Sequence, residues 1–520
     1  MKRVIVRKDS YYDSVFLMLI STDVNKIDGV NDAVVAMGTE MNVDLISDMG
    51  LGTDEVKSST PNDLIIAIDS ESDEVLDEAA ETVDKLLTQK KGAGGAEAAY
   101  RPGSLASAVE VVPEANLAII SLPGQYAARE ARRALQNDLH VMMFSDNVTL
   151  EDEVSLKKLA VQKGLLMMGP DCGTAIINGM PICFSNVVPK GPIGMVSASG
   201  TGLQEVACAI AKAGSGVSQA IGTGGRDLKK AEVGGMMMKL SIEALGADPE
   251  TKVITVVSKP PLAELMGPVI DTLKATGKPA VVHFVGTGAR EPDGKIQFAG
   301  SLEEAARMAV AVASGTTYEA RTFDLSDSEI EAIVERETEK MSAEQKYVRG
   351  LFTGGTLTDE SATLLEDALG GIHSFDASDP RFKLSDPHKS EGHTIVDLGE
   401  DIFTVGRPHP MIDPSIRTER MDREAEDGEM ALMLLDCVIG YGSHADPAGA
   451  MVDQIKNAKA AAEKRGGYLS VIASVTGTDG DFQGLSDQRR KLEAAGVVVM
   501  TTNYQATILV RRIMERRAAK

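Results

Sequence analysis

The 520-residue chain has no tryptophan and only 9 tyrosines and 11 phenylalanines. So few aromatics speak against an all-β sandwich. Cysteine is scarce too. Cys172, Cys183, Cys208 and Cys437 form no CxxC pair, which excludes a zinc ribbon or a thioredoxin-type site, and no metal is expected. Reduced thiols and a cytoplasmic location are the expectation. No apolar run reaches the ~18 residues that span a bilayer. The opening MKRVIVRKDSYYDS lacks the apolar centre of a signal peptide. Positive charge is in deficit, with 53 Lys and Arg against 77 Asp and Glu and a net charge of −24. Such a surface repels nucleic acid and anionic membranes, so neither is an expected partner.

Glycine is abundant, at 50 residues, and the chain is 43% hydrophobic. This favours α/β architecture with tight strand–helix turns, in about three domains of roughly 150 residues. Residues 1–90 read as a small N-terminal α/β, ferredoxin-like module, followed by a Gly/Ala-rich linker over 91–104. From 105 onward, apolar runs such as LAIISLP, IGMVSAS and KVITVVSK alternate with helical patterns. Strands of that kind belong to parallel sheets covered on both faces. One such domain is expected over 105–190 and a second, flavodoxin-like, over 191–315. A helical connector (316–347) and a C-terminal α/β domain (348–520) complete the chain.

In MVSASGTGLQE, Met195–Glu205, a buried strand runs through small residues into a helix. Helix starts carry unpaired N–H groups and the positive end of the dipole, so Ser199, Gly200 and Thr201 can cradle an anion such as phosphate. The same residues also make an ordinary N-cap. A second strand–GG–helix turn, Gly354–Thr356, hints at a related module. Asn147 lies at a strand's C-terminal end, where open α/β sheets bind ligands. Asp171 either binds a substrate amide or caps the next turn. Cys172 and Met236–Met238 read as packing groups. Arg417 and Arg420 read as surface groups pairing with Glu419 or Asp422.

Four stretches occur in a telling order: FSDNVTLED, GPDCGT, SASGTGLQE and IGTGGRDL. Together they resemble the α subunit of succinyl-CoA synthetase and ADP-forming acyl-CoA synthetases. IVDLGEDIFTVGRPHPMIDPSIRTERM and LLDCVIGYGSHADPAGAMVDQI resemble the CoA-ligase domain of that family's β subunit. Over nearly its whole length the chain is similar to the FdrA proteins. The resemblance implies tandem flavodoxin-like parallel-sheet domains of the succinyl-CoA synthetase type, and it allows coenzyme A as a cofactor. It places a phosphate between two helix starts, SASGTG and the turn containing Gly406. The family's phospho-histidine would fall in the turn Ile296–Gly300, where Phe298 stands, and its Glu-Gly-Gly is replaced by Ser258-Lys259-Pro260-Pro261.

The FdrA resemblance therefore implies acyl-phosphate chemistry without a phospho-enzyme: oxalurate plus phosphate giving oxamate and carbamoyl phosphate. The expected substrates are small anions, namely phosphate, carbamoyl phosphate and oxamate. Arg407 and Arg226 are forked donors for them, and His409 is a proton donor near neutral pH. Gly225, Asp171, Asn147 and His444 line the substrate side. Partner subunits or a homo-oligomer are expected. The alternative is a subunit of an acyl-CoA synthetase that meets its ATP-grasp partner on another chain.

Overall fold

A computed structural model describes residues 1–92, 102–377 and 379–519. Of the linker expected over 91–104, residues 93–101 lie outside the described residues. Two compact units emerge. The first joins Met1–Arg101 to Asp401–Asp413, and the second holds Pro102–Glu400 and Pro414–Lys520.

The first unit is a three-stranded sheet of β1 (Lys2–Arg7), β2 (Val30–Met37) and β3 (Leu64–Ser70), with β3 central and antiparallel to both neighbours. Alternation in β3 feeds two cores. Leu64, Ile66 and Ile68 pack with Leu17, Ile20, Leu76 and Val83 of the helices Ser14–Val24 and Asp73–Gly92. Ile65 and Ala67 face the other way, onto Ile46, Leu51 and Val56. That period-2 pattern is what a strand covered on both faces requires. Asp401–Asp413 belongs to this unit, although the sequence placed it in the C-terminal domain.

The second unit opens with a parallel sheet of β4 (Leu117–Ile120), β5 (His140–Met143) and β6 (Met167–Met168). An eight-stranded sheet follows. It holds β7 (Thr174–Ile177), β8 (Met180–Cys183), β9 (Lys190–Ser197), β10 (Val217–Gly222), β11 (Val253–Ser258), β12 (Ala280–Phe284), β13 (Arg290–Asp293) and β14 (Ile296–Phe298). The β7–β8 hairpin lies inside the expected 105–190 domain, yet β7 pairs with β10 of the next sheet. The last sheet is β15 (Tyr347–Phe352), β16 (Thr394–Asp397), β17 (Met430–Val438), β18 (Ser470–Thr476) and β19 (Val498–Met500).

Strand order reveals the tandem design. The parallel part of the eight-stranded sheet runs β10-β9-β11-β12-β14, and the last sheet runs β16-β15-β17-β18-β19. Both follow the flavodoxin-like order 2-1-3-4-5, whose crevice lies at the carboxyl ends of the strands. We call them the first and second lobes. Among the described residues no helix is long and apolar enough to cross a membrane.

A buried charge cluster ties the helix Leu150–Lys163 to the loop after β10. Lys157, wholly buried, pairs with Glu153 and Asp227 at 2.8 Å each and donates to the Thr223 carbonyl at 3.0 Å. Asp227 also accepts the N–H of Met238 at the start of the helix Met236–Ala247. Removing the ammonium leaves Asp227 buried without its cation and Glu153 with Arg226 alone. Lys157→Met is therefore expected to cost about 3–5 kcal/mol, read as a lowered denaturant midpoint at unchanged slope.

Candidate functional site

The sequence between β9 and the helix Gly200–Lys212 is Ala-Ser, and that between β15 and the helix Gly355–Leu369 is Thr-Gly. These two helix starts meet. The Ser199 and Thr356 hydroxyls are in direct contact. Ser199 Oγ also accepts the Gly202 N–H at 3.0 Å, the N-cap expected of it. Glycine is required on both sides of the contact. A Cβ on Gly354 would lie 2.8 Å from Thr201 Cγ2, and one on Gly202 would lie 3.0 Å from Thr356 Cγ2. Two positive dipole ends thus converge, one from each lobe.

Charged groups gather at the second start. A Cβ on Gly355 would meet Asp397 Oδ2 at 2.5 Å and Lys259 Nζ at 2.7 Å. Asp397 closes β16, and Lys259 directly follows β11. Lys259 pairs with Asp359 at 3.3 Å. Burial works against its ammonium, but Asp359, Asp397 and Glu400 hold its pKa above the usual lysine value. Burial pushes Asp397 up to about 7, against the pull of Lys259. Asp436, in β17, fastens the turn from below. It accepts the Thr353 N–H at 3.0 Å and ion-pairs with Arg417 at 2.7 Å. The result is a set of hydroxyls and helix N–H groups beside one ammonium, with a carboxyl able to carry a proton near neutrality. Such a set can hold an oxyanion and move a proton.

Ser199, Gly200 and Thr201 sit at the first start, as the sequence placed them. The second start is a correction. It is Gly354–Thr356, not the turn containing Gly406. Gly406, Arg407 and His409 lie in the first compact unit. There Gly406 (φ +71°) is seated so that a Cβ would come 2.9 Å from Leu45. Asp413 of the same segment accepts the Thr22 hydroxyl at 3.0 Å. His409 Nδ1 accepts the Met411 N–H at 3.2 Å, and burial pulls its pKa down to about 4. A neutral, enclosed imidazole is not the proton donor expected near pH 7.

Arg226 is a further correction. It pairs with buried Glu153 at 2.7 Å and donates to the Val148 carbonyl at 2.8 Å, so its fork serves the fold. Arg417 and Arg420 are buried and hold Asp436 and Glu424, not surface partners. Burial pushes Cys172 up to about 12, as befits a packing thiol. Asp171 and Gly225 are neighbours, with Asp171 Oδ2 3.6 Å from a Cβ position on Gly225. Asp171 (φ +53°) and Asn147 (φ +51°) both take left-handed backbone. Thr174, three residues after Asp171 in the chain, has its Oγ1 3.3 Å from a Cβ position on Gly200 of the first start. His444 Nδ1 accepts the N–H of Asp446 in its own loop. Lys259 and Asp397 are not among the site residues expected from the sequence, although each ends a predicted strand and lies in a stretch that carries the family resemblance.

Two adjoining cavities of about 280 and 270 Å³ lie elsewhere and share Glu303, Arg307 and Arg321. Both arginines pair with Asp324, and Lys212, which lines the second cavity, donates to the Val475 and Thr501 carbonyls.

Comparison with known proteins decides the family. Residues 351–513 match the family described as CoA-ligase, and residues 1–102 match "AllF, heavy metal-associated domain". YahF of Escherichia coli (strain K12) is 45% identical over 513 residues, 98% of each chain. The chain belongs to the YahF family. The FdrA resemblance and the acyl-CoA synthetase resemblance both stand within it. The succinate–CoA ligase [ADP-forming] subunit alpha-2 of Trichomonas vaginalis is 30% identical over 193 residues, 35% of this chain and 59% of that protein. The ADP-forming sulfoacetate-CoA ligase subunit SauD of Bilophila wadsworthia is 26% identical over 194 residues, 35% of this chain and 62% of that one. Among solved structures, PH0766 from Pyrococcus horikoshii OT3 covers 81% of this chain and 88% of its own at 14% identity and TM-score 0.29.

The heavy-metal description of this family's N-terminal domain does not fit the residues present. Residues 1–101 contain no cysteine and no histidine, the ligands a soft metal selects. Among the described residues no group of His, Cys, Asp and Glu is placed to hold an ion. Coenzyme A fits the residues no better. The sheet of β4, β5 and β6, in the 105–190 region that the resemblance makes CoA-binding-like, has three short strands, and β4 leads into Ser-Leu-Pro-Gly, not a glycine-rich turn.

The folded chain binds the Asp397 proton more tightly than the unfolded chain does, so this group costs stability as pH rises from about 4 to about 7. Asp397→Asn should melt close to wild type at about pH 4, gain on it as pH rises to about 7 and level off above that. Melting curves across that range check the sign.

Proposed function

We propose that this chain is an enzyme subunit that holds a phosphate or acyl-phosphate dianion at the joined helix starts and transfers a carbamoyl group. In the direction of breakdown, a phosphate oxygen attacks the ureido carbonyl carbon of oxalurate. The bond from that carbon to the oxamate nitrogen breaks, and a proton ends on that nitrogen. The products are oxamate and carbamoyl phosphate.

One observation carries this reading: the Ser199 and Gly354 starts touch, with Lys259 and Asp397 against them. The helix N–H groups and Lys259 offset the dianion's charge. Asp397, which burial pushes up to about 7, is suited to hand a proton to the departing nitrogen. The neighbouring Asp171 and Gly225, with Asn147, are candidates for the oxamate side. Phe298, where the family carries its histidine, speaks for direct transfer. Oxamate as acceptor is taken from the FdrA resemblance.

A second reading is a subunit of an ADP-forming acyl-CoA ligase. The CoA-ligase family match and the similarity to succinate–CoA ligase α subunits favour it.

The purified chain, alone and with candidate partner subunits, should release phosphate from carbamoyl phosphate only when oxamate is present. Lys259→Ala should lower that rate by about 10²–10³-fold, the usual loss of an oxyanion contact. ATP hydrolysis that depends on coenzyme A, with no oxamate-dependent phosphate release, would establish the second reading instead.

A further inference from the structure

The two joined helix starts are held by more than their own turns. Each helix carries a glutamate at the same offset from its first residue: Glu205 after Gly200 and Glu360 after Gly355. Both side chains are buried. Each reaches into the other lobe and caps that lobe's last helix. Glu205, in the first lobe, accepts the N–H of Asn503 at 3.0 Å, where the helix Asn503–Ala518 begins after β19. Its other oxygen accepts the Thr476 hydroxyl at the end of β18. Glu360, in the second lobe, accepts the N–H of Leu302 at 2.9 Å, where the helix Leu302–Ser314 begins after β14. Its other oxygen accepts the Asn503 side-chain amide at 2.9 Å.

The exchange is reciprocal. The first helix of each lobe caps the last helix of the other. Those last helices already have their own caps in Ser301 and Thr502, so local helix stability does not explain the glutamates. A carboxylate on an N–H at a helix start is a charge-assisted bond favoured by the dipole, and since burial pushes Glu360 up to about 7, its bond has that character in full above that pH. Two such bonds running in opposite directions fix the register of one lobe on the other. A slip by one residue along either helix breaks both.

We propose that Glu205 and Glu360 are reciprocal positioning residues that press the Ser199 and Gly354 starts together and so set the geometry of the anion site. This rests on the reading that an anion is held there. Neither glutamate touches the anion. Each acts through the helix that carries it.

The test uses the full chain with Ser199→Cys and Thr356→Cys, whose hydroxyls are in contact in the native protein. Under mild oxidation the two thiols should join readily. Glu205→Gln and Glu360→Gln, each in that background, should slow the cross-link about tenfold, the size expected for losing one bond to a charged group. Glu337→Gln is the control. Glu337 is equally buried but accepts the Tyr468 and Ser470 hydroxyls and does not join the two lobes. It should change the rate by less than about twofold. An unchanged rate in both glutamate variants overturns the proposal, as does equal slowing by Glu337→Gln. Calorimetry with inorganic phosphate on the chain carrying native Ser199 and Thr356 gives the second readout. Affinity should fall about tenfold in each glutamate variant. If the wild-type chain binds no phosphate, the anion reading falls, and the cross-link rates still decide the positioning proposal.

Discussion

Two helix N-termini in contact are electrostatically unfavourable, because their partial positive charges face one another. The second unit is arranged around making that contact tolerable. Hydroxyls of Ser199 and Thr356 meet at the junction. Carboxylates of Asp397 and Asp436 lie against the Gly354 start. Glycine at 202, 354 and 355 removes the side-chain bulk that would hold the helices apart. On the proposed reading, a dianion meets helix N–H groups and the Lys259 ammonium already in place, in a protein whose overall charge is strongly negative.

On the proposed reading an ammonium takes over from the family's covalent carrier. Lys259 directly follows β11, within the Ser258–Pro261 stretch that replaces the family's Glu-Gly-Gly, and its Nζ reaches the Gly355 start. Phe298 closes β14 with Arg290 over its ring, 5.7 Å away. A phenyl ring takes no phosphate. On the proposed reading, charge complementarity stands in place of a phosphorylated intermediate.

The first unit poses a different arrangement. Its sheet is covered on both faces and presents no thiol or imidazole from residues 1–101. It gathers in Asp401–Asp413, which follows Asp397 and precedes Arg417 in the chain. Those flanking residues belong to the second start and its support. The proline-rich turn around His409 is therefore a packed element of a small domain, and its histidine is neutral because burial removes the water that would stabilise its charge.

Periodicity by itself determined the alternation of strands and helices, the small N-terminal module and the parallel tandem sheets, because buried strands demand continuous apolar runs whatever surrounds them. The SASGTG start was legible for the same local reason: small residues after a buried strand expose helix N–H groups. The repeat at Gly354–Thr356 was visible as a pattern, but its pairing with Ser199 was not. Ser199 and Thr356 are 157 residues apart, and only the docking of one lobe on the other brings them into contact. Tertiary structure also decided the fate of the charged residues. Arg226, Arg417 and His409 carry the chemistry of a binding site in any sequence, yet each is committed to a buried partner or enclosed in packing. Residue type states what a side chain can do. Whether it faces a ligand depends on desolvation and distance, which arise only when distant segments pack.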